Sequence, residues 1–157
     1  MSSMVDNYFV GFGLIYYLLL VIVYIFRAYD KSEYELKLRL VFSAQLIPFL
    51  TLSIMNLLNG EYKRLVSGVP IIIYLVYDLW YRVVTEKKPV HHPDQMPIGL
   101  KLYIVLLMLG SIGLNWYGYI VSETYGRMLV AAYFVMMGSF GFYQYKHNQR
   151  KNQSKSS

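Results

Sequence analysis

The sequence predicts an all-α integral membrane protein with about five transmembrane helices, arranged as a first helix followed by two antiparallel helical hairpins. Three observations lead there. First, of 157 residues, 56% are hydrophobic and only 15% are charged, against about 25% charged in an ordinary soluble domain. Second, the charges are clustered, leaving five runs with one charge or none. Third, each run has about the length needed, roughly 20 residues at 1.5 Å per residue, to cross a hydrocarbon core of about 30 Å. Five such runs leave too few polar residues to coat a soluble fold. A membrane β-barrel is also excluded, because its strands alternate apolar and polar residues, whereas 14–26 and 102–109 are almost wholly apolar.

The runs are expected to form helices near 7–26, 39–59, 64–82, 100–120 and 125–145, within one transmembrane domain covering residues 1–145. The first lies between Asp6 and Arg27, and no basic residue precedes it. It therefore reads as a retained helix rather than a secretory signal. The second lies between Arg39 and Glu61 and holds Pro48 midway, where a kink is expected. The third follows Lys63-Arg64 and carries one charge, Asp78. Asn59-Gly60 is a turn signal between the second and third. The fourth runs between Lys101 and Glu123, and the fifth between Arg127 and Lys146. Short links make sequence neighbours pack antiparallel.

Charge gives the direction. With the N-terminus outside, 12 of the 15 Lys and Arg residues fall on cytoplasmic segments, and only Lys63, Arg64 and Arg127 fall outside. Lysine and arginine bias loops to stay cytoplasmic. The expected location is thus a cell membrane, multi-pass, with the N-terminus outside and the C-terminus cytoplasmic. The same bias explains the net charge of +6 without nucleic acid as a partner. Residues 146–157 form a basic, polar cytoplasmic tail, expected to be ordered only against anionic lipid or a partner through Lys146, Arg150 and Lys151.

Few residues are suited to chemistry. There are no cysteines, which removes thiol catalysis and thiolate metal sites. Asp78 lies one helical turn before Arg82, so the two read as an interfacial ion pair or, alternatively, as an ion or proton site. His91, His92 and Asp94 share a proline-rich loop. Imidazole and carboxylate suit a transition metal or a partner contact, although adjacent histidines on an extended chain point apart. No cofactor is expected, with a metal at His91 and His92 the one option. Gly110 and Gly113 on the fourth helix, and Gly138 and Gly141 on the fifth, are expected to bring helix backbones together, either within that hairpin or against a partner helix.

These features favour a non-catalytic subunit, or an assembly or stabilising factor, of a larger membrane complex, with a membrane-bound oxidoreductase as one host class. The expected partners are membrane lipids and other membrane subunits or further copies of the chain. A small transporter or channel using intramembrane polar residues is the alternative. A membrane enzyme acting at the histidine loop is the third reading.

Overall fold

In a computed structural model, residues 2–29, 37–38, 41, 43–80 and 98–156 are described. They form five long helices: α1 (Ser2–Ala28), α2 (Leu46–Leu58), α3 (Tyr62–Leu79), α4 (Ile98–Val121) and α5 (Glu123–Ser156). No strand occurs among the described residues. Two stretches, Met4–Ala28 and Ile104–Val121, are long and apolar enough to cross a membrane by length and composition, and Leu46–Leu58 is a shorter apolar helix.

The helices start and stop where local chemistry permits. Regular helix is interrupted at Gln45 and resumes as α2 at Leu46. Residues 43–44 on the other side of the break are helical too, and Gln45 keeps helical angles, φ −63° and ψ −15°, so Pro48 lies in the first turn after an interruption of the helix. A proline nitrogen cannot bond the carbonyl of Ala44, and a first turn tolerates that loss. The next amide makes the bond that starts the ladder, Phe49 N to Gln45 O at 3.2 Å. At the other end of α2, Gly60 takes φ 73°. Its amide bonds Leu57 O and that of Glu61 bonds Asn56 O, so the last carbonyls are satisfied by a left-handed glycine cap. Ser122 caps α5, its Oγ accepting from Tyr125 N at 3.2 Å, as N-cap serines do.

The C-terminal segment differs from the sequence expectation: α5 continues as helix through Ser156. One contact ties its far end to α1, and two others lie within α5 itself. Arg150 donates to the carbonyl of Ala28, at the end of α1. Gln149 donates to the Tyr145 hydroxyl one turn back at 2.7 Å. Lys146 Nζ lies 6.0 Å over the Phe142 ring.

Side-chain contacts define the bundle. At one end Asp6 meets Arg64 and Tyr117, and Asn7 meets Tyr125. At the other end Ala28 meets Arg150 and Tyr29 meets Phe142. Helices α1, α3 and α5 thus run in one direction, and α2 and α4 in the other. The most extensive interface is α3–α4, followed by α1–α5 and α4–α5. Helix α1 is central, with Phe9, Tyr16 and Tyr17 almost fully buried. It meets α3 through long side chains, Asp6 to Arg64 and Tyr16 to Tyr74, rather than by close backbone approach.

Glycines set the tightest approaches. A Cβ on Gly110 would lie 3.5 Å from the Cα of Ile71, so this glycine serves α3 rather than the α4–α5 hairpin. The hairpin closes instead at Gly118, where a Cβ would stand 2.7 Å from Leu129 Cδ1 and 3.1 Å from Gly126 Cα. Gly113 is buried. At Gly138 and Gly141 an added Cβ would meet nothing within 4 Å, so these two glycines leave open space on α5.

Candidate functional site

The densest polar cluster among the described residues sits where the start of α1, the end of α2, the start of α3 and the end of α4 converge. Asp6 is 4% exposed, yet it lies within the first turns of an apolar helix. An isolated carboxylate there would be costly, and its partners explain how it is tolerated. Arg64 Nη2 stands 3.1 Å from Asp6 Oδ2. The Tyr117 hydroxyl donates to Asp6 Oδ1 at 3.0 Å and accepts from Asn56 Nδ2 at 3.2 Å. Glu61 adds a second carboxylate, 3.5 Å from Arg64 Nη1. Arg64 occupies the first turn of α3, the end where the helix dipole disfavours a cation; the two carboxylates offset that.

Aromatic rings close the cluster from the bundle interior. Phe9 stacks on Tyr117 with centroids 3.9 Å apart, and Phe49 meets Phe9 edge-on at 5.2 Å. Ser53 points its Oγ at Gly68, where a Cβ would lie 2.8 Å away, so glycine makes room for the hydroxyl. Not every polar atom is satisfied. Among the described residues, Ser53 Oγ and Arg64 Nε are buried without a hydrogen-bond partner, and Arg64 Nη1 has only its ion-pair contact with Glu61.

A second polar group joins α1 to α4. Tyr17 Oη donates to Asn115 Oδ1 at 2.9 Å, with the Ser111 carbonyl oxygen at 3.2 Å. Ser111 Oγ returns to its own helix, donating to Leu107 O at 2.9 Å. Ser139 does the same toward Met136 O at 2.7 Å. These hydroxyls are used as helix-to-helix or intrahelical bonds, the ordinary fate of polar groups in apolar helices.

The sequence candidates fall elsewhere. Asp78 is 2% exposed and shares the inward face of α3 with Ile71, Tyr74 and Leu75. Its expected partner Arg82, and the loop residues His91, His92 and Asp94, lie outside the described residues. No group of three or more His, Cys, Asp or Glu side chains able to hold a metal occurs among the described residues. Of the tail residues, Arg150 contacts the end of α1, Lys146 lies over Phe142, and Lys151 is half-buried.

Sequence reasoning does not assemble Asp6, Arg64, Asn56 and Tyr117. The usable signal is an acid before the first run, an Asn near the end of the second and an Arg entering the third. Nothing local says that these three meet. No known protein family, curated protein or solved structure matches the chain.

Tyr117→Phe removes the hydroxyl that links Asp6 to Asn56. It is expected to lower stability by about 1–3 kcal/mol, the cost of leaving buried partners unsatisfied. Unfolding in mixed detergent micelles measures this. A loss near zero would show that water replaces the hydroxyl without cost.

Proposed function

We propose that this chain is a multi-pass integral membrane protein with its N-terminus outside, acting as a non-catalytic subunit or stabilising factor of a larger membrane complex. The observation that carries the membrane reading is the distribution of polarity. Charged and amide groups lie inside the bundle: Asp6, Arg64, Asn56, Asp78 and Gln45. Large apolar side chains lie outside: Leu18, Ile47, Val66, Ile112, Phe134 and Val135 are each more than half exposed. A soluble protein does not present so continuous an apolar surface to water. Lipid solvates it without cost, while polar groups turn inward to find one another.

The charge distribution supports the direction. Lys63, Arg64 and Arg127 flank the end that gathers the start of α1 and the α2–α3 and α4–α5 turns. The remaining basic residues belong to the opposite segments, the cytoplasmic side by the charge rule. The subunit reading rests on how polar groups are used. Tyr17, Asn115, Ser111, Asn56 and Tyr117 are engaged in bonds within the bundle, which is structural work. The outward faces then remain for lipid and for neighbouring subunits.

Resistance to alkaline carbonate extraction tests the membrane reading; release into the supernatant would end it. Purification in mild detergent followed by mass spectrometry tests the subunit reading. The expected result is stoichiometric recovery of at least one further membrane protein. A lone monomer without partners would overturn it.

A further inference from the structure

We infer that the seam between α1, α2 and α3 is a hydrated path for protons, with Asp78 as its proton-binding group and the Asp6–Arg64 pair at its outer mouth. The inference rests on the membrane reading above and goes beyond it.

Three inward stripes face this seam. Helix α1 contributes Asp6, Phe9 and Tyr16. Helix α2 and the turn before it contribute Gln45, Phe49, Ser53 and Asn56. Helix α3 contributes Arg64, Gly68, Tyr74 and Asp78. Contacts fix the register: Asp6 with Arg64, Ser53 with Gly68, Phe9 with Phe49, and Tyr16 with both Phe49 and Tyr74. Continued along the antiparallel α2–α3 pair, that register brings Ser43 and Gln45 to the level of Asp78. Polar groups therefore occupy both ends of the seam, and tyrosines and phenylalanines its middle.

The polar atoms are not all matched. Among the described residues, Ser43 Oγ, Gln45 Oε1 and Ser53 Oγ are buried without a hydrogen-bond partner, on side chains only 6–7% exposed. All three belong to α2 or the residues just before it, along the seam. Unmatched buried polar atoms in an apolar surrounding are costly, and water is what commonly satisfies them. The α1 and α3 backbones do not approach closely here and are bridged by long side chains.

A proton suits this lining better than a metal cation. Among the described residues no three acidic or imidazole side chains gather to hold a metal, whereas a single buried carboxyl with hydroxyl and amide neighbours is enough to bind a proton. Hydroxyls and water pass protons by exchange of hydrogen bonds. At Asp78 an O–H bond forms when a proton arrives and breaks when it leaves, with no electron transferred. Phe9 and Phe49 narrow the middle and would make transfer slow.

The chain has no cysteine, so single cysteines report cleanly. In proteoliposomes, Ser53→Cys is expected to react with a small neutral water-soluble methanethiosulfonate at least tenfold faster than Ile54→Cys, whose side chain faces outward. Equal, slow labelling of both would mean a dry seam and overturn the inference. Faster labelling of Ile54→Cys would mean that the outer face meets water, and the membrane reading itself would fail. With an internal pH dye and an imposed potential, the unmodified protein is expected to carry proton flux above that of protein-free liposomes. Asp78→Asn is expected to cut that flux at least tenfold while leaving the labelling of Ser53→Cys intact. No flux, or flux unaffected by Asp78→Asn, would overturn the assignment even in a wet seam.

Discussion

Arg64→Ala is expected to destabilise the protein by about 3–5 kcal/mol, the usual cost of removing one partner from a buried ion pair. The size follows from what is left behind. Asp6 stays buried with one neutral donor, Tyr117, in place of a guanidinium 3.1 Å away. Asp6→Asn in the same protein should recover much of the loss, because an amide carries no charge to desolvate and can still accept from Tyr117. A pair of apolar replacements at both positions should be milder than Arg64→Ala alone, since a buried ion pair is weak evidence for net stability. Unfolding of these three variants and the unmodified protein in mixed micelles decides this. An Arg64→Ala loss below about 1 kcal/mol would place the pair in effective contact with water, where exposed pairs contribute that little.

Gly118→Val is the second large effect, expected at about 1–3 kcal/mol or more from overpacking. A methyl group there would stand 2.7 Å from Leu129 Cδ1 and 3.1 Å from the backbone of Gly126. The leucine can rotate away; the backbone cannot. A single residue, Ser122, separates α4 from α5, so the helices cannot slide apart without breaking the cap. Adding Leu129→Ala should therefore rescue only part of the loss. Gly138→Val, with open space around it, is expected to leave the stability of the isolated chain within about 0.5 kcal/mol, as surface substitutions do. Full rescue by Leu129→Ala, or equal losses at both glycines, would show that the α4–α5 approach is looser than the structure has it.

The helices are legible in the sequence because their cause is local. A wholly apolar run of about 20 residues, without the alternation of a barrel strand, favours helix because a helix satisfies its backbone groups within the segment itself. The Asn59-Gly60 turn is legible for the same reason: glycine adopts φ 73° without strain. Boundaries are less so. The position of the break, at Gln45 ahead of Pro48, and the continuation of α5 past Lys146 depend on neighbours as well as on propensity. The tail shows this most directly: its sequence reads as solvated chain, yet Arg150 reaches the end of α1, a residue 122 positions away.

The candidate site is mostly not legible. Asp78 stands out as a charge inside an apolar run, and its burial agrees with an inward position. The cluster around Asp6 does not stand out, because Asp6, Asn56, Arg64 and Tyr117 each look ordinary at a helix end. Small residues mislead in a related way. Gly138 and Gly141 resemble packing surfaces but face open space, whereas Gly68 and Gly126 hold close approaches that no sequence pattern marks.

By itself, the sequence determined that the chain is helical, where its apolar runs lie, how its hairpins turn and which way its charges lean. Each of these depends on residues within a few positions of one another. Only the tertiary structure decided that Asp6 meets Arg64, that Gly110 serves α3, and that Ser53 turns its hydroxyl toward Gly68. Those facts depend on which helix faces which, at what register. Packing sets that through side-chain shapes far apart in the chain, and no local pattern records it.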